Sequence, residues 1–277
     1  MKCDWNGLLA VLPLHLRQEV DRQGREKLQE LRLRMGCPVE MILGGTSCFL
    51  EKTATLEDIR FVVNTASKYS PWAASTAANG YITAPGGHRI GMCGECVVQA
   101  GGITGIRTAT SLCIRVARDF EGIGEKLPNT GSLLILGPPG AGKTTLLRDL
   151  IRQRARWGKA VSVVDERGEL FPDGFAKGAR TDVLTGCSKA DGIPMVLRSM
   201  SPECIAVDEI TATEDCNGLL HALWCGVELL ATAHAANQKD LFTRPVYRPL
   251  AESGVFSTVV ILSKDKSWRM ERMEICT

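Results

Sequence analysis

The residues with the clearest chemistry form one run, Gly137-Pro138-Pro139-Gly140-Ala141-Gly142-Lys143-Thr144. Every fixed position of G-x-x-x-x-G-K-[ST] is met, the pattern of a loop that cradles a nucleotide triphosphate with Mg²⁺. The spacing follows from the ligand. Phosphates need several donors converging on one point, and Gly140 and Gly142 let the backbone turn tightly enough for successive N–H groups to face inward. The helix that follows adds the positive end of its dipole. Lys143 would reach the β- and γ-phosphate oxygens, and the Thr144 hydroxyl would sit on Mg²⁺. The expected nucleotide-contacting set is Gly137, Pro138, Pro139, Gly140, Ala141, Gly142, Lys143, Thr144 and Thr145.

The context suits the motif. Ser132–Leu136 is a short apolar run that predicts a buried strand, and Thr145–Ile151 continues with apolar residues at helical spacing. Cys204-Ile205-Ala206-Val207-Asp208-Glu209 is a second apolar strand, ending in two carboxylates. Asp208 is placed to hold Mg²⁺ and Glu209 to orient or polarise an attacking water. A further strand, Val161–Val164, falls between these two in the chain and ends in Asp165-Glu166-Arg167-Gly168-Glu169. Val227–Ala233 predicts another, ending in His234. Residues at the carboxyl ends of parallel strands sit where ligands bind in such sheets, so Glu166 and His234 join the candidates. A strand inserted at that point, with Glu beside Asp, marks the ATPase branch that includes recombinase-like motors and argues against a GTPase or small kinase.

Alternation of strands and helices from residue 132 onward predicts a parallel sheet with helices on both faces. The tail, 257–262 and 268–275, predicts a closing hairpin around Lys264-Asp265-Lys266. The first part of the chain differs. Short helices over 1–20 broken at Pro13, strands at 28–34 and 39–43, a helix from Thr55 to about Tyr69, a hairpin over 81–92 and a strand at 111–116 predict an α+β domain with an antiparallel sheet. Residues 119–131, rich in Gly and Pro, read as a linker. The expected organisation is therefore 1–118, linker 119–131, and a recombinase-like P-loop ATPase domain over 132–277.

Composition narrows the partners. With 277 residues there is room for two cores, and 44% hydrophobic with 23% charged residues is ordinary for a folded protein. Up to residue 125 there are 14 Lys+Arg against 13 Asp+Glu, and beyond it 19 against 18. Neither part carries the charge excess of a nucleic-acid binder, and aromatics are 5%. The basic group Arg148, Arg152, Arg154, Arg156 and Lys159 reads as the solvated face of the P-loop helix. No apolar run approaches the roughly 20 residues needed to cross a bilayer, and no secretory leader is evident, so a cytoplasmic chain is expected. Eleven cysteines, scattered and many in apolar segments, read as reduced core thiols. Cys93-Gly94-Glu95-Cys96 has no second pair to complete a zinc site.

As a set, these motifs resemble the ATPases of type II and type IV secretion systems. Asp165–Glu169 is similar to their acidic box and Ala231–Ala235 to their His box. The chain is more similar still to the stage III sporulation AA family of endospore-forming bacteria, on Gly80–Gly91 and Gly102–Arg107, although it is somewhat short and Ala235 stands where Gly is expected. The resemblance implies a ring, a hexamer, with nucleotide in the cleft between two domains and arginine from the N-terminal domain completing the site. Arg107 and Arg115 look like those arginines, and Arg89 is a further candidate. It also implies recruitment to the cytoplasmic face of a membrane-embedded channel complex without insertion in the bilayer. Three rivals are a nucleic-acid-dependent ATPase, which would need a basic groove or stacking aromatics, a nucleotide-gated scaffold, which would not need Glu209 or His234, and a metal-binding protein.

Overall fold

The computed structural model describes residues 3–69, 80–99, 102–172 and 174–273. Two compact units divide the chain: Met1–Asp119 with Pro172–Phe175, and Phe120–Phe171 with Ala176–Thr277. The predicted termini at 1–2 and 274–275 lie outside the described residues.

In the first unit, helices α1 (Trp5–Ala10) and α2 (Leu14–Gly24) flank Pro13, which cannot continue a helix. Strands β1 (Leu28–Arg34), β2 (Pro38–Leu43) and β3 (Thr46–Thr53) form a meander, and β3 was not predicted because its alternation is mostly polar. Helix α3 (Leu56–Tyr69) starts at a reciprocal cap: the Thr55 hydroxyl accepts from the Asp58 amide (3.1 Å) and the Asp58 carboxylate from the Thr55 amide (2.9 Å). Strands β4 (Tyr81–Ala84), β5 (His88–Gln99) and β6 (Gly102–Arg115) follow. The sheet is antiparallel, in the order β3-β2-β1-β6-β5-β4. The predicted hairpin is β4 with the start of β5, and the predicted strand is the end of β6; the last two pair at one end of a longer β5–β6 ribbon whose glycines hid the rest of its pattern. Between β4 and β5, Gly87 has φ +76°, and a Cβ there would lie 2.2 Å from Pro172 Cγ. One apolar core, including Leu8, Leu31, Met41, Ile59, Ile90 and Ile114, fills this unit.

The second unit is a seven-stranded sheet: β7 (Leu133–Leu136), β8 (Val161–Asp165), β9 (Thr181–Thr185), β10 (Cys204–Val207), β11 (Glu228–Ala233), β12 (Thr258–Leu262) and β13 (Trp268–Arg272). The order is β13-β12-β7-β11-β10-β8-β9, parallel except for β13. Strands β7, β8 and β10 are buried at every residue, as strands covered on both faces must be. Helix α4 (Lys143–Arg156) packs on one face; α5 (Lys189–Met200) and α6 (Thr213–Trp224) on the other. Short helices α7 (Gln238–Thr243) and α8 (Arg248–Glu252) precede β12. Strand β9 and these two helices escaped prediction. The apolar spacing predicts a helix over 193–200; α5 begins four residues earlier, at Lys189, because Ser188 and Asp191 form a cap that the apolar period does not signal.

The basic group on α4 corrects the expectation of a solvated face. Arg148, Arg152 and Arg154 are 5%, 2% and 1% exposed. Their guanidinium groups donate to main-chain carbonyls: Arg148 to Glu169 and Leu170, Arg152 to Ala176 and Phe120, Arg154 to Pro128 and Gly131. Asp149, fully buried, accepts from the amides of Gly122 and Gly124 at 2.9 and 2.8 Å. Residues 120–131 are thus irregular but bonded to α4 throughout. The cysteines divide as well. Cys204 and Cys216 are core thiols, pushed by burial up to about 12, whereas Cys37, Cys93, Cys96 and Cys225 are exposed.

His88 is buried in the first unit, with Nε2 on the Asp4 carbonyl (2.8 Å) and Nδ1 accepting from the Ala117 amide (3.0 Å). Burial pushes its pKa down. A depressed folded pKa contributes stability above the unfolded value of about 6.5, lost as pH falls through the folded pKa. The denaturant midpoint should therefore fall more steeply between pH 7 and 5 in wild type than in His88→Gln. Parallel profiles would remove His88 as the cause.

Candidate active site

The loop after β7 turns at Gly140 and Gly142, with φ +73° and +100°, and Gly142 caps α4. Lys143 opens the helix and is buried. Its Nζ donates to the carbonyls of Gly137 (2.8 Å) and Pro138 (3.1 Å) and to His234 Nδ1 (3.1 Å). Burial pushes the ammonium pKa down, and the charges of Asp208 and Glu209 oppose that shift.

Because β11 lies between β7 and β10, its carboxyl end separates the loop from the acidic pair. Thr232 and His234, two residues apart, bridge the gap. The Thr232 hydroxyl donates to Asp208 Oδ1 (2.5 Å) and accepts from the Glu209 amide (2.8 Å). The other Asp208 oxygen accepts from the Thr144 hydroxyl at 2.7 Å. His234 Nε2 meets Glu209 Oε1 at 3.2 Å. An ammonium only donates, so His234 Nδ1 accepts and Nε2 carries the proton. The second Glu209 oxygen accepts from Arg167 at 2.8 Å. Glu209 itself is left-handed, with φ +51°, a conformation that costs a non-glycine residue about 1–2 kcal/mol. Lys143, Thr144, Arg167, Asp208, Glu209, Thr232 and His234 thus form one connected network.

The acidic segment divides in function. Asp165 turns inward and caps its own loop, accepting from the amides of Glu169 (3.0 Å) and Leu170 (2.8 Å); burial pushes its pKa up. Glu166 faces a small cleft whose other walls include Asp208, Glu209 and Arg167. There it accepts from Lys189 Nζ at 2.5 Å, and Lys189, buried at the start of α5, also lies 3.8 Å from Asp215.

The structure brings Lys143, Thr144, Glu166, Asp208, Glu209 and His234 to one sheet edge of the second unit. Arg107 and Arg115 belong to the first unit, both exposed on β6. Arg107 pairs with Glu95 (3.0 Å) and Arg115 with Glu30 (3.6 Å). Arg89 lies 3.9 Å over the Tyr81 ring. Sequence reasoning missed Thr232 and Lys189. Thr232 lies in β11 two residues before His234, which follows the strand directly, so a period of two carried past the strand end would have pointed to it. No local signal marks Lys189, whose partner Glu166 lies 23 residues away in the chain.

The fold is of the class found in secretion and pilus ATPases. It is similar to the pilus retraction motor PilT with bound ADP (TM-score 0.64, 17% identity, 90% of this chain and 77% of that one). It is also similar to the ATPase DotB of Legionella pneumophila (TM-score 0.58, 17% identity, 94% and 80%). Within that class the chain belongs to the family described as "Sporulation stage III, protein AA", whose model matches residues 5–271. It is 38% identical to stage III sporulation protein AA of Bacillus subtilis (strain 168), over 94% of this chain and 92% of that protein.

Thr232→Val keeps the shape and removes both bonds, leaving the Glu209 amide without this acceptor. Stability should drop by about 1–3 kcal/mol in denaturant titration, with Thr232→Ser retaining most of it. Wild-type stability in the valine variant would show that the bridge is dispensable.

Proposed function

We propose that this chain hydrolyses ATP to energise assembly or transport by a membrane-embedded sporulation channel complex. The observation that carries the reading is the network joining Lys143, His234 and Glu209 beside the Thr144–Asp208 pair. The nucleotide would bind along 137–145. Thr144 and Asp208 fit Mg²⁺, because each presents a hard oxygen and the two lie 2.7 Å apart. Bound there with the nucleotide, the ion supplies charge neutralisation at the phosphates. Glu209 would accept a proton from the attacking water once one of its two present partners, His234 or Arg167, gives way to that water. Lys143 would exchange its loop carbonyls for phosphate oxygens, and His234 would keep it in register. Glu166, held by Lys189, would add a second carboxylate beside the water.

Family resemblance supports a homo-oligomeric ring, a hexamer in this reading, with Arg107 or Arg115 reaching the γ-phosphoryl group of a site. Arginine suits the task through its permanent charge and forked donors. Among the described residues no helix is long and apolar enough to cross a membrane, which fits recruitment to the cytoplasmic side of a channel by its proteins.

Glu209→Gln should bind ATP with affinity near wild type and lose turnover by at least ~10²-fold, whereas Lys143→Ala should lose binding. Normal turnover in the glutamine variant would remove Glu209 as the base. Hydrolysis per chain should rise with protein concentration if arginine is supplied in trans. A flat rate without a preformed ring by sizing would exclude that role for Arg107 and Arg115.

A further inference from the structure

The turn joining β12 to β13, Ser263–Ser267, lies against the phosphate loop. Lys266 Nζ donates to the Gly140 carbonyl, and its side chain runs past Gly142, whose added Cβ would stand 4.0 Å from Lys266 Cδ. This ammonium comes from a different element than Lys143, 126 residues from the glycine it touches. Lys143 reaches the loop from within, at the Gly137 and Pro138 carbonyls.

Lys266 also stands where turn chemistry asks for another residue. Its φ is +71°, left-handed, in a tight hairpin turn closed by Ser263 and Ser267 and braced by the Asp265 carboxylate on the Ser267 amide. Glycine or asparagine fits that position without strain. A lysine held there against its backbone preference, with its charge on the loop that presents N–H groups to phosphate, is placed to serve a ligand rather than the turn.

We propose that Lys266 is a second phosphate-binding lysine, contributed by the hairpin to the polyphosphate of the nucleotide. This rests on the P-loop reading above. The side chain is long and solvent-accessible enough to pivot about the turn, exchanging the Gly140 carbonyl for a phosphate oxygen, while Lys143 leaves the Gly137 and Pro138 carbonyls. Two ammonium groups from separate elements would then close on one polyphosphate, and the hairpin would follow nucleotide occupancy.

The test is calorimetric titration of the full-length protein with MgADP and, separately, with Mg-pyrophosphate. Lys266→Gly removes the ammonium and suits the left-handed backbone, so its melting temperature should equal or exceed that of wild type. Affinity for both ligands should nevertheless fall by about tenfold, as expected for loss of one charged contact, with Lys266→Arg retaining most of it. Unchanged affinity in the glycine variant would overturn the proposal, leaving Lys266 as a tether of the turn. A loss for MgADP but not for Mg-pyrophosphate would overturn the assignment to phosphate. If Lys143→Ala loses binding while Lys266→Gly does not, this inference fails and the P-loop reading stands. If wild type binds neither ligand, both fail.

Discussion

The whole site depends on one constraint of topology: the strand that feeds the phosphate loop and the strand that ends in Asp208 and Glu209 are not neighbours. Strand β11 lies between them. Two strand spacings, about 10 Å, must therefore be spanned by side chains. Thr144 reaches across from the first turn of α4 to Asp208, and Thr232 secures the same carboxylate from the middle strand. His234, one residue beyond β11, then falls between an ammonium and a carboxylate. Its neutral tautomer is the one that satisfies both, so the ring passes an electrostatic link across the gap without carrying net charge itself.

The same arrangement explains why Glu209 can hold a left-handed backbone. Its amide is fixed by Thr232, the next amide is bonded to the Thr232 carbonyl at 2.9 Å, and both carboxylate oxygens have partners. Local strain persists where the surroundings over-determine the conformation, and this residue has four such restraints. Only the side-chain restraints are replaceable by a ligand, since the two main-chain bonds belong to the sheet edge. A change at the site would therefore swing the carboxylate and leave the turn in place.

Much of this was legible in the chain. The glycines and Lys143-Thr144 prescribe the loop, continuous apolar runs prescribe the buried parallel strands, and residues at strand ends prescribe the edge where Asp208, Glu209 and His234 meet. The missing parts share a physical reason. Strand β3 and the β5–β6 ribbon are polar or glycine-rich, so no hydrophobic alternation marks them. Lys189 and Lys266 act through contacts 23 and 126 residues away in the chain, which no local pattern encodes. The arginines of α4 misled for the opposite reason. A charged helix face ordinarily meets water, and here it meets carbonyls supplied by two distant segments.

Those carbonyls have an evolutionary consequence. Every residue type, proline included, presents a carbonyl, so the bonds from Arg148, Arg152 and Arg154 do not depend on the side-chain chemistry at Phe120, Pro128, Glu169, Leu170 and Ala176. Sequence drift in these segments is cheap as far as the clamp is concerned. The exceptions are Gly122, Gly124 and Gly131: proline at 122 or 124 would delete an amide that serves Asp149, and Gly122 and Gly131 are left-handed, with φ +83° and +79°. The side-chain requirement of the clamp falls instead on a few positions of one helix. Two homologues could differ at the residues that present these carbonyls and still hang them from α4 in the same way.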